Sequence, residues 1–197
     1  VWVGTSADSK CVASDAAQAI AAARTYPGAI STLILPADTA WTDAASVATV
    51  PTRENPETVS EAAVENCTQA LQSGEPAMLL LGGRALRAPT LENASRIALH
   101  SNAAMSSALM SARTERGAGR VGIERIPYVV DEAVKVLDGI RHLILVGAKV
   151  PVAFFAYPDK PSLLIQPDCE VHVLDTAEHD IAGSVDRRRD AAGATLT

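Results

Sequence analysis

Apolar residues fall along this chain in short blocks whose spacing alternates between two periods. In "STLIL" (31–35), "AMLLL" (77–81) and "HLILV" (142–146) they are consecutive, as in a strand covered on both faces. Between these blocks the spacing opens to three and four. Ala16, Ala17, Ile20 and Ala23 form one such stripe. Val59, Ala63, Cys67, Ala70 and Leu71 form a second, and Val129, Val130, Ala133, Val134 and Leu137 a third. Each predicts an amphipathic helix. Ser14 is the expected N-cap of the first, and Pro27-Gly28 stops it. Thr58-x-x-Glu61 has the spacing of a capping box for the second, which Gly74 closes. "PTLENASRIALHSN" predicts a further helix with Pro89 in its first turn. "AMSSALM", "SLLI" and "EVHVL" are shorter strand candidates, and the polar stretch from Ala177 onward has helical character.

Strands alternating with helices predict an α/β fold: a Rossmann-like, mainly parallel sheet flanked by helices. Residues 1–43 read as a partial βαβ piece without the rest of its sheet. "AASVATVPTRENPE" (44–57) loses periodicity and carries Pro51 and Pro56, as a linker does. The main domain is expected over 44–178, with 179–197 as a linker onward. Two predicted strands run directly into glycines, at Gly82-Gly83-Arg84 and Gly147-Ala148-Lys149. Open α/β sheets bind ligands at the carboxyl ends of their strands, so these six residues are the expected cofactor-binding positions. Asp175, which follows "EVHVL", stands where dinucleotide folds place an acid against a ribose hydroxyl, although a helix cap explains it as well. The glycines make an incomplete phosphate-binding fingerprint, and a tight strand-to-helix turn is the simpler account of them.

Composition narrows the function classes. A net charge of −6 over 197 residues argues against a nucleic-acid binder, which usually shows a basic face. The apolar runs are too short to span a bilayer, so a cytoplasmic protein with no membrane partner is expected. Three scattered cysteines suggest no disulfide framework, and four scattered histidines (100, 142, 172, 179) show no metal-binding spacing, so no metal site is expected. No nucleophile elbow or spaced carboxylate pair appears, and no catalytic residue is assigned. "ARTERGAGRVGIER" sets Arg113, Arg116, Arg120 and Arg125 on a glycine-rich loop, suited to an anion or else tied down by Glu115 and Glu124. "DRRRD" (186–190) reads as a solvated helix face. "GAKVPVAFFAYPDKPS" (147–162) gathers Phe154, Phe155 and Tyr157 among Pro151, Pro158 and Pro161. Prolines fix a loop's shape and aromatics give it a rigid apolar surface, which predicts a domain or subunit contact or the wall of an entrance; the alternative is that the phenylalanines fold back into the domain's own core.

Three stretches together, "ISTLILPADTAWTD", "LLLGGRAL" and "ERGAGRVGIERIPYVVDEAVKVLDGIRHLILVGAKVPVAFFAYPDKPS", resemble the thiamine-diphosphate-dependent enzymes, in particular acetolactate-synthase large-subunit-like proteins. Such enzymes carry a pyrimidine-binding, a central and a pyrophosphate-binding module. The resemblance implies that 1–43 is the end of the first module, 44–178 the central domain, and 179–197 the lead-in to the third. It implies a parent enzyme using thiamine diphosphate and Mg²⁺, condensing two pyruvates to 2-acetolactate and CO₂ on the route to branched-chain amino acids. Sister activities are 2-hydroxyacyl-CoA lyase and benzoylformate decarboxylase. The partners implied are the remaining domains of the parent and further copies of the chain in a homo-oligomer. The family's catalytic glutamate and its GDG…N diphosphate motif do not occur in this sequence, so this segment is expected to be structural and not to bind the cofactor. In acetolactate synthases the central domain holds FAD; Gly147-Ala148-Lys149 stands at the family's Gly-Ala-Arg, but the Phe-Asp-Asp-Arg that follows there is replaced by "VPVAFF". A flavin-free domain is therefore expected. A self-standing nucleotide-binding or scaffold domain is the other reading of the same residues.

Overall fold

A computed structural model describes residues 1–44, 46–52, 55–176 and 179–191, with side chains to Arg187 in the last helix. It divides into two compact units, Val1–Pro56 and Glu57–Thr197. Part of the predicted linker (Ala45, Arg53, Glu54), the end of the tail (192–197) and the side chains of Arg188–Asp190 in "DRRRD" lie outside the described residues.

In the first unit, β1 (Trp2–Thr5) and β2 (Ser31–Ile34) pair in parallel across helix α1 (Val12–Arg24), the expected βαβ piece. Two details differ from expectation. Ser14 lies inside the first turn and donates its hydroxyl to Cys11 O at 2.8 Å. The free N–H groups of Lys10 and Cys11 instead donate to Asp8 Oδ1, at 2.8 and 3.0 Å. Nor is "STLIL" a doubly covered strand, since Ile34 and Leu35 are about half exposed. A two-stranded sheet has a helix for one face only, and the other face keeps its apolar side chains in the open.

The second unit is a five-stranded sheet, all parallel, in the order β5-β4-β3-β6-β7. Its strands are β3 (Ala77–Leu81), β4 (Ala104–Ser107), β5 (Glu124–Arg125), β6 (His142–Val146) and β7 (Glu170–Asp175). β3 and β6 are buried along their whole length, as continuous apolar runs require. One face packs Leu79, Leu81, Ile144 and Val146 against α2 (Glu61–Gln72), α3 (Ala88–Ser101) and α5 (Ile181–Ala191). The other packs Met78, Leu80, Leu143 and Leu145 against α4 (Val130–Leu137) and an irregular segment containing Val150, Ala153 and Leu164. On that second face a loop does the work of a helix.

Local chemistry sets the boundaries. α2 is capped by Ser60, whose Oγ accepts the Ala63 N–H at 3.2 Å; the capping box expected at Thr58 is displaced by two residues. α3 begins with proline in its first turn and ends at left-handed Asn102. "SLLI" is not a strand. It makes a single antiparallel bridge, Val152 to Leu163, inside the loop after β6. Residues beyond 178 are likewise no simple linker, because Ile181 and Val185 of α5 are fully buried in the core. The expected domain end at 178 therefore moves into α5. Replacing Ile181 by Ala should lower the unfolding free energy of the second unit by about 2–5 kcal/mol, as truncation of a core aliphatic does. Urea denaturation measures it, and an unchanged midpoint would return α5 to the status of a tether.

Candidate functional site

The strand order reverses between β3 and β6. The chain leaves β3 toward β4 on one side, then returns to lay β6 and β7 on the other. Such a switch point opens a crevice at the carboxyl ends of the two central strands. Here it is a cavity of about 460 Å³ lined by Gly82, Gly83, Gly147, Ala148 and Lys149, with Met110, Tyr128 and Phe154 on its far wall. Five of the seven predicted positions therefore converge on one site. Arg84, which is exposed, and Asp175, which is buried, lie outside this wall.

The glycines are explained largely by the backbone itself. A Cβ on Gly82 would stand 2.6 Å from Gly147 O, and one on Gly147 2.9 Å from Gly82 O and 2.8 Å from Ile181 Cδ1. Gly147 also has φ +62°, and Gly83 φ +52°. Ladder bonds continue into the turn: Gly82 N–H donates to Val146 O at 2.9 Å and Gly147 N–H to Asp175 O at 3.0 Å. The two chains thus diverge from van der Waals contact. The remaining cavity wall is mainly aliphatic and aromatic, with Lys149 its one charged side chain.

The segment after β6 forms the outer wall. Ala153 N–H donates to Ser162 O at 2.8 Å and Leu164 N–H to Pro151 O at 3.2 Å, closing a loop whose tip holds the aromatic residues. Lys160 anchors the tip to Asp131 on α4, 2.7 Å from both carboxylate oxygens. The rings form a ladder. Tyr128 and Phe154 have centroids 5.8 Å apart, Phe154 and Phe155 meet edge to face at 4.7 Å, and Phe155 and Tyr157 at 6.1 Å. Phe154 and Phe155 nevertheless keep 52% and 55% of their surface in solvent, so they do not fold back into the core.

Asp175 is placed otherwise than a ribose-binding acid needs. Its side chain is buried, with Oδ1 3.0 Å from His179 Nδ1. Burial raises its pKa above the ordinary value of 3.8, opposed by the Ser184 hydroxyl, the His179 charge and the Thr176 N–H. Of the arginine loop, Arg113, Arg116 and Arg125 share a second, polar cavity of about 390 Å³ with Ser107, Ser111 and Glu124, while Arg120 is elsewhere. Glu115 ties this loop to α3, accepting the Ala88 N–H at 2.9 Å with Arg87 and Arg113 3.5 and 3.4 Å away. These contacts, the Ala88 N–H foremost, hold its pKa below the usual carboxylate range.

One cluster escaped sequence reasoning. His142 and His172, which seemed scattered, are neighbours at the opposite, amino end of β6 and β7, beside Glu170. The signal was the strand period. In Glu170-x-His172 both side chains share a face, and parallel pairing sets His142 opposite Glu170.

Comparison with known proteins agrees with this architecture. No family model matches the chain. It is 44% identical over 174 residues, 88% of its length, to "Putative acetolactate synthase large subunit IlvX" of Mycobacterium tuberculosis. The chain is a homologue of that protein. It spans 33% of that relative's length. Among solved structures it is similar to a thiamin diphosphate-dependent enzyme from Mycobacterium smegmatis (TM-score 0.73, 18% identity, 96% of this chain and 39% of that one). It is also similar to the thiamine diphosphate-dependent 4-hydroxybenzoylformate decarboxylase of Rhodococcus jostii RHA1 (TM-score 0.73, 16% identity, 100% and 40%). At such identities these two report the fold alone. Among the described residues, no helix is long and apolar enough to cross a membrane.

Two outcomes test the site's construction. Gly82→Ala should destabilise the second unit by about 1–3 kcal/mol, since the obstacle is backbone that cannot swing aside. Asp175 should impose a pH dependence. Its folded-state pKa is raised, so folding is favoured at low pH and stability falls as pH rises from the unfolded value, near 3.8, through the raised one. Urea midpoints followed across that window should decline in the native protein, and the decline should be smaller in Asp175→Asn.

Proposed function

We propose that this chain serves as a structural segment of a thiamine-diphosphate-dependent enzyme of the acetolactate-synthase type, acting on 2-oxo acids. The second unit corresponds to the central domain and the first to the end of the pyrimidine-binding domain. The observation that carries the reading is the 44% identity to one third of an acetolactate synthase large-subunit relative. The model reaction joins two pyruvates into 2-acetolactate with loss of CO₂. Bound thiamine diphosphate supplies the electron sink for such chemistry, with Mg²⁺ holding its diphosphate.

The described residues at the switch point do not fit that cofactor. The wall of the switch-point cavity carries no carboxylate to hold a magnesium ion or to abstract a proton. A flavin dinucleotide fits no better. Its diphosphate needs donors and its ribose an acid, whereas the glycines face each other, Lys149 is the one cation, and Asp175 is buried against His179. The segment contributes geometry instead. The aromatic tip at Phe154, Phe155 and Tyr157 offers a rigid apolar surface for the remaining domains of the parent, and Ile34 and Leu35 offer a second one to the rest of the first sheet. Homo-oligomerisation through the parent's other domains belongs to the same reading.

The reading predicts a coding frame that continues on both sides, with a glutamate upstream and a GDG motif downstream. The full-length product should form 2-acetolactate from pyruvate when supplied with thiamine diphosphate and Mg²⁺, and should purify without flavin absorbance. The 197-residue chain alone should give no heat with the cofactor and Mg²⁺ by isothermal titration. A full-length protein inactive on every 2-oxo acid offered would overturn the proposal, as would micromolar cofactor binding by the isolated chain.

A further inference from the structure

The histidines at the amino end of the sheet form an arrangement that no reaction of the opposite end requires. His142 opens β6 and is buried, and His172 sits on the adjoining strand with its side chain 18% exposed. The ring nitrogens His142 Nδ1 and His172 Nε2 are 3.1 Å apart. Glu170 Oε2 lies 3.8 Å from the first and 3.9 Å from the second. Three donor atoms therefore mark a triangle on one face of the sheet. Donors about 2.0–2.2 Å from a tetrahedral ion lie roughly 3.3 Å from one another, so a small rotation of the exposed Glu170 side chain brings all three into range.

The next layer outward has the matching form. His142 Nε2 is 3.1 Å from Glu75 Oε2, and the other Glu75 oxygen lies 3.9 Å from Arg141 Nε. Donation of the Nε2 proton to Glu75 leaves the lone pair on Nδ1, pointed into the triangle. A carboxylate behind a ligating histidine is the usual partner that fixes its tautomer and raises its basicity. Two imidazoles and one carboxylate with a fourth position open to water suit a divalent ion of the zinc class. A hydrogen bond between the rings satisfies the cluster without metal, with one proton occupying the place of the ion.

We propose that His142, His172 and Glu170 form a Zn²⁺-class metal site, oriented by Glu75, that clasps the amino ends of β6 and β7. Its role is to secure the pairing of these two strands, whose carboxyl ends carry Gly147 and Asp175. The site is independent of the catalytic reading above.

The test uses the 197-residue chain, freed of metal by chelator dialysis, with Zn²⁺ and Co²⁺ as probes. Isothermal titration should give one Zn²⁺ per chain with Kd below about 10 μM, and saturation should raise Tm by about 5–10 °C. One equivalent of Co²⁺ should give the visible ligand-field band of a four-coordinate site without a thiolate charge-transfer band. His172→Gln should weaken Zn²⁺ binding at least tenfold and abolish the Tm shift. Glu75→Gln should weaken it about tenfold at unchanged stoichiometry. If circular dichroism shows His172→Gln unfolded, Glu170→Gln, on an exposed side chain, decides the matter by the same tenfold criterion. The proposal falls if Kd is weaker than about 10 μM, if the folded variant loses less than tenfold, or if Co²⁺ reports cysteine ligation.

Discussion

The contact between Gly82 and Gly147 is the constraint on which the second unit turns. Two parallel strands that run side by side must part at their ends, because one leads to a helix turn and the other to a loop on the opposite face. Here they part from direct backbone contact. Any side chain at either glycine would strike a carbonyl oxygen of the other turn, and at Gly147 the methyl of Ile181 as well. The close approach keeps β3 and β6 in register to their last residues, brings α5 down onto the turn, and sets the depth of the crevice. Glycine at these positions is demanded by packing before any ligand is considered.

This explains which parts of the site could be read from the sequence. Runs such as "AMLLL" and "HLILV" ending in glycine locate the switch point, because burial on both faces and the need for positive φ leave direct marks in residue type. The parallel α/β class follows from the alternation of periods. What the glycines are for does not follow, since a phosphate cradle and a backbone-to-backbone contact call for the same residue. The missing distinction is spatial: the two turns are more than sixty residues apart, and only the fold makes each the obstacle of the other.

Other misreadings share a cause. Thr58 and Ser14 satisfy capping patterns, but Ser60 accepts the Ala63 N–H of α2, and Asp8 accepts the N–H groups of Lys10 and Cys11 just ahead of α1, because a sequence pattern alone does not select among neighbouring polar residues. Ile181 and Val185 lie in a stretch too polar to suggest a core helix, yet each meets the sheet through a single buried face. His142 and His172 are thirty positions apart and belong to no contiguous motif; parallel register alone unites them. Asp175 was located correctly at the end of a strand, and its burial depended on where α5 would fold.

The loop between β6 and β7 has three duties at once. It covers one face of the sheet in place of a helix, it walls the cavity through Val152 and Phe154, and its tip bears the exposed aromatic ladder. Phe154 belongs to both the cavity wall and the ladder, so the two surfaces are not separable in energy. A molecule that enters the cavity and shifts Phe154 changes the affinity of the tip for whatever packs on it, and by thermodynamic reciprocity the packing partner changes the cavity's affinity by the same factor. Through that one ring, filling the crevice and assembling the surrounding protein become a single coupled equilibrium.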